Sequence, residues 1–143
     1  MKDYLKYIKV IRKFIQVKYK ISLGDLELLL FLRSEKYFSR LNFEEYSTLF
    51  GWEKDRFDRL RQAGWIDSFR VNKNGVRALY QLSYKAQRMI TSFYKKIEGE
   101  EIPESKSSNP MFLANVPYTD KVFRHYIKKM NKVIQQERHR SQK

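Results

Sequence analysis

The chain has 143 residues, enough for one buried core and too few for two, and at 42% hydrophobic and 15% aromatic it is too rich in core-forming side chains to be a disordered polymer. It has no cysteine, which excludes a disulfide framework, a thiolate metal site and a cysteine nucleophile. The formal net charge of +14, from 30 basic against 16 acidic residues, makes a polyanion the first partner to consider.

No apolar run approaches the roughly 18 residues of a spanning helix, and the lysine-studded start lacks the apolar core of a secretion signal, so a soluble cytoplasmic protein is expected. The charge is unevenly spread. Residues 1 to 20 hold seven basic and one acidic residue, 54 to 96 hold eleven and three, and 121 to 143 hold eight and one; the stretches between, 21 to 53 and 97 to 120, come to −3 and −4.

In chain order, Tyr4, Leu5, Ile8, Ile11 and Ile15 recur at spacings of three and four, opposite Lys2, Lys6, Lys9 and Lys13, which predicts an amphipathic helix over residues 1–20. Ser22 ahead of Asp25 has the form of a capping box, and the Leu26 to Leu32 cluster reads as a buried helix. Asn42, with Glu45 three residues later, predicts the start of a short third helix that stops at Gly51. A fourth helix is expected from Glu53 to Ala63, ended by Gly64. The apolar period then shifts towards two: Trp65, Ile66, Phe69 and Val71 precede the turn "NKNG" (72–75), and Val76, Leu79, Tyr80 and Leu82 follow it, the pattern of a hairpin. A fifth helix, Tyr84 to Ile97, has Ala86, Met89, Ile90 and Phe93 on one face and Lys85, Arg88, Lys95 and Lys96 on others. Residues 99–117 are acidic, hold all three prolines and read as a surface linker. The last helix, within 118–138 and capped by Thr119, carries Phe123, Tyr126, Ile127, Met130, Val133 and Ile134 as a stripe, with a frayed tail after it.

Short helices, a hairpin and long flanking helices predict a mainly α fold with a small β-hairpin: a winged helix-turn-helix over 22–98 within one domain, 1–143. "RLRQAGWIDSF" (59–69) and "LYQLSYKAQRMI" (79–90) resemble the MarR family, respectively its exit from the recognition helix and its second wing strand leading into the long fifth helix. The resemblance implies a DNA-binding regulator in which terminal helices join two subunits, here a homodimer through Leu5, Ile8, Ile11, Ile15, Phe123, Tyr126, Ile127, Met130 and Ile134. The family often places an aspartate and an arginine in the wing; "VNKNGVRAL" (71–79) is short, lacks the aspartate and has Arg77 near the arginine's position.

A major groove about 12 Å wide admits one helix, and a basic ribbon beside it reaches phosphates. Lys54 and Arg56 are thus the candidate base readers, with Arg59, Arg61, Arg70, Asn72, Lys73, Asn74 and Arg77 candidate contacts to double-stranded DNA. Glu53, Asp55 and Asp58 repel phosphates unless paired to neighbouring arginines. Phe57, Trp65, Phe69 and Tyr80 read as core by their spacing, with base stacking the rival role. His125 and His139 lie fourteen apart and suggest no shared metal site. Without a Gly-rich phosphate loop, nucleophile elbow or suitably spaced carboxylate pair, neither enzyme activity nor a cofactor is expected. The function expected is a DNA-binding transcriptional regulator or architectural factor. Its rival is a non-enzymatic module of a larger assembly, such as a bacteriophage virion or replication complex; RNA is a further polyanion the same surface suits.

Overall fold

The computed structural model describes residues 4–53, 55–71, 73 and 77–141. In chain order these form a 3-10 turn (Leu5–Tyr7), α1 (Ile8–Tyr19), α2 (Leu23–Glu35), β1 (Tyr37–Phe38), α3 (Arg40–Phe50), α4 (Arg56–Gln62), β2 (Ile66–Arg70), β3 (Leu79–Leu82), α5 (Tyr84–Ile97), a second 3-10 turn (Pro110–Phe112) and α6 (Tyr118–Ser141). The chain is therefore mainly helical with a small antiparallel sheet, in keeping with a winged helix-turn-helix flanked by further helices. It divides into two compact units, one of Gly24–Ile90 and the other of Met1–Leu23 with Thr91–Lys143.

In the Gly24–Ile90 unit, α3 begins earlier than Asn42 suggests. The Ser39 hydroxyl accepts the Asn42 backbone N–H at 3.1 Å, and the Asn42 side chain accepts the Ser39 backbone N–H at 3.0 Å. Asn42 is thus the third-residue partner of a capping box rather than the cap. The next helix is shorter than predicted, starting at Arg56, and it closes with Gly64 at φ +84 while the Trp65 N–H returns to the Leu60 carbonyl at 3.0 Å. That left-handed backbone is open to glycine at no steric cost, which is what the position requires.

The hairpin of β2 and β3 gains a third strand that periodicity could not reveal, since β1 is only two residues long. The order is β1-β3-β2, with Tyr37 opposite Gln81 and Phe38 opposite Tyr80. On the other side Ile66 faces Leu82 and Ser68 faces Tyr80, but Arg70 faces Leu79, so Phe69 is the extra residue of a bulge. Beneath the sheet, rings meet in series: Tyr46 with Phe31, Phe31 with Trp52, Trp52 with Phe43, Phe43 with Phe57 and Phe57 with Tyr80, at centroid distances of 4.9 to 6.3 Å. This series ties α2, α3, α4 and β3 together and fixes α4 against the wing.

The other unit is built on α1, α6 and the Pro110–Phe112 turn, which pack on one another. Residues 99–117, expected on the surface, supply core instead: Ile102, Asn109 and Met111 are buried. Polar side chains pin the segment there. Asn131 donates to the Ile102 carbonyl at 2.8 Å and accepts the Ile102 N–H at 3.0 Å, pairing with that backbone as a strand would. Asn109 donates to the Pro103 carbonyl at 2.9 Å and accepts the Met111 N–H at 3.1 Å. Gly99, at φ +109, leaves no room for a side chain, because a Cβ would lie 2.9 Å from the Tyr4 ring. The expected cap at Thr119 gives way to Pro117, whose carbonyl takes the Asp120 N–H at 3.0 Å, and the tail expected to fray is helical to Ser141. Lys96, assigned by its spacing to a polar face, is buried and meets Glu100 at 2.5 Å and Ser92 at 3.5 Å. Among the described residues no helix is long and apolar enough to cross a membrane.

Candidate nucleic-acid interface

Of the two cations expected to read bases, Arg56 is taken up by a carboxylate. Arg56, the first residue of α4, reaches back to Asp25 of α2 at 2.6 Å and is largely covered, which makes it a strut between two helices. Arg59 lies 2.8 Å from Glu53 and 3.5 Å from Asp55, both in the turn before its helix. Asp58 accepts from Arg40 of α3 at 2.9 Å, and the Arg40 guanidinium lies over the Phe57 ring, 4.6 Å from its centroid. That hydrogen bond holds the Asp58 carboxyl below its usual range and pushes Arg40 up. The acids expected to repel phosphates are thus paired: Glu53 and Asp55, just before α4, with Arg59 inside it, and Asp58 of α4 with Arg40 of α3. Lys54 lies outside the described residues.

Arg61 has a different neighbour. It extends over the Tyr80 ring of β3, 4.8 Å from the centroid, and remains exposed; it adds to the field that lowers Asp58 but forms no salt bridge among the described residues. On the wing, the Nε and Nη2 of Arg70 both donate to the Arg77 carbonyl, at 3.2 and 2.9 Å. Arg70 therefore ties the end of β2 to the segment that leads into β3. The Arg77 side chain and Lys73 are exposed with no ion pair among the described residues, while Asn72 and Asn74 lie outside them. Lys85, which the sequence reading left out of the site, donates to the Ala63 carbonyl at 3.1 Å and lies 4.1 Å from the Trp65 ring centroid. A cation at the last carbonyls of α4 suits the negative end of the helix dipole.

The aromatic residues divide. Phe57 and Trp65 are core, and Tyr80 is partly covered, but Phe69 is 50% exposed and packs on Tyr37, itself 49% exposed, with centroids 4.3 Å apart. Its exposure and its contact with the exposed Tyr37 place Phe69, at the bulge of β2, on the outer face of the sheet, while Ile66 of the same strand is buried. The pair makes an apolar platform on the outer face of the sheet. Between α3 and α4 lies an open cleft of about 410 Å³ with Arg40, Glu44, Ser47 and Trp52 in its wall.

The residues expected to join two subunits are mostly unavailable. Ile11, Ile15, Ile127, Met130 and Ile134 are buried within the chain, because α1 and α6 cover each other's apolar stripes and the Pro110–Phe112 turn completes the cover. Ile8 and Phe123 are half-buried, and only Leu5 and Tyr126 are exposed. Among the described residues no group of three or more His, Asp or Glu side chains is placed to hold a metal ion. Comparison with protein-family models, curated proteins and solved structures found no match to this chain.

Proposed function

We propose that the chain is a winged-helix DNA-binding protein, a MarR-like regulator or architectural factor, which grips duplex DNA by its phosphates more than by its bases. One observation supports this reading above the others: Arg56 and Arg59 of α4 are held in salt bridges by carboxylates, whereas Arg61, Lys73 and Arg77 stand exposed with no salt bridge among the described residues. A helix whose outward charges are internally paired offers little base discrimination, while unpaired cations beside it release counterions when they meet phosphates. No catalytic role is assigned to any residue. Self-association, which the resemblance implies, falls to the exposed Leu5 and Tyr126, and light scattering reads its stoichiometry directly.

The test is R61Q/K73Q/R77Q in the full chain, titrated with a random-sequence duplex over a salt series. The slope of log K against log salt becomes shallower by about 2–3, at roughly 0.9 per lost phosphate contact. An unchanged slope removes the wing from the interface. The second reading, a module of a larger assembly, is favoured by the exposed Tyr37–Phe69 pair, since an outward apolar platform suits a protein partner. Under that reading Y37A/F69A abolishes partner capture and leaves DNA binding unchanged.

A further inference from the structure

We propose that the solvent face of α6 is a second nucleic-acid-binding surface, one that tracks the phosphate backbone without using the wing. Lys121, Arg124, Lys128 and Lys132 follow one another at spacings of three and four, which places them in one stripe along the helix, with Lys129 beside it. From residue 121 to 136 there is no acidic residue. The two acids of α6 stand near its ends and are occupied: Asp120 lies 3.7 Å from Lys13, and Glu137 accepts the Tyr4 hydroxyl. None of the five cations has a carboxylate partner among the described residues. Arg124 and Lys128 both lie over the Phe112 ring, each 5.9 Å from its centroid, which steadies the middle of the stripe.

This charge does not serve the fold. Like charges at i and i+4, as in Arg124 with Lys128 and Lys128 with Lys132, weaken a helix, and α6 is held instead by its buried Ile127, Met130 and Ile134 and by the Asn131 clamp. The stripe does match a polyphosphate. At about 1.5 Å per residue, five positive charges fall within about 16 Å of axis, close to the one charge per roughly 3.4 Å of a single DNA strand. A lipid surface is the weaker match: an interfacial helix must sink its apolar face into the bilayer, and the main apolar stripe of α6 is already covered by its own chain. The exposed Tyr118, Val122 and Tyr126 along one flank make lipid the rival the experiment must exclude.

The experiment compares the full chain with K121Q/R124Q/K128Q/K132Q, following binding to a labelled random-sequence duplex by fluorescence anisotropy over a salt series, beside R61Q/K73Q/R77Q. The α6 variant gives a slope shallower by about 3–4 and weaker binding at every salt concentration, with its unfolding midpoint unchanged or raised. The pair K121Q/K132Q, which leaves the Phe112 contacts intact, gives a slope shallower by about 2 and serves if the fourfold variant does not fold. An unchanged slope in the α6 variants overturns the proposal, as does tighter binding of the native chain to phosphatidylserine vesicles than to the duplex. A shallower slope in the α6 variant alone supports the proposal and removes the wing reading; a shallower slope in the wing variant alone does the reverse.

Discussion

Tyr4 shows how one polar contact can secure a chain end. Burial, then the hydrogen bond to Glu137, push its phenol up to about 12. With a folded value above the unfolded value of 10.0, the stability from this group is complete below pH 10 and is lost as pH rises through about 12, because only the unfolded chain ionises in between. Urea unfolding at rising pH should show the native chain losing about 2 kcal/mol more than Y4F across that window; equal losses would place the phenol in an ordinary setting. Asn131 is the other residue on which much rests. N131A strands the Ile102 N–H and carbonyl in the core and should cost about 2–3 kcal/mol in urea unfolding, where a surface asparagine would cost almost nothing. Neither role was legible from the sequence. Asn131 reads as a polar gap in an apolar stripe, and nothing local pairs Tyr4 with a carboxylate 133 positions away.

At the scale of elements, the helices with strong apolar periods were the most legible: α5 runs from Tyr84 to Ile97 as its spacing predicts, and α6 lies on its stripe, while the helix expected over 1–20 is a 3-10 turn at Leu5–Tyr7 and becomes α-helix only at Ile8–Tyr19. The weak places were those where one residue type serves two roles. Asn42 suits both a cap and a capping-box partner, and Phe69 suits both a core strand and an outward bulge. Pairing across the sequence was invisible too, so Arg56, which reads as a groove contact, is a strut to Asp25. The Arg40–Asp58 pair gives the sharpest element-level prediction. D58N removes one negative charge from the outer surface of α4 and releases Arg40, so duplex affinity should rise several-fold, with a salt slope steeper by about 1; weaker binding would mean that Asp58 itself contacts the nucleic acid. Because that pair is exposed, its loss should barely move the unfolding midpoint. F69A should cost less than about 1 kcal/mol, since half of the ring is already in water; a larger loss in thermal unfolding would show the Tyr37–Phe69 platform to be part of the core.

For the whole molecule, the count of +14 suggests a polyanion but does not say which cations are spare. Within Gly24–Ile90, Arg40, Arg56 and Arg59 are answered by carboxylates, while Arg61, Lys73 and Arg77 have no ion pair among the described residues. In α6 the central cations have no ion pair among the described residues. The apolar stripes of the terminal helices invited two readings, packing on each other or joining two subunits, and their burial in a single chain settles which way those stripes turn. If phosphates are what the spare cations meet, the most direct measurement is the affinity of the full chain for a random-sequence duplex as salt is raised. The expected result is a straight fall of log K with log salt, steeper than about −4, with little preference for any sequence. A flat response would contradict the nucleic-acid function itself.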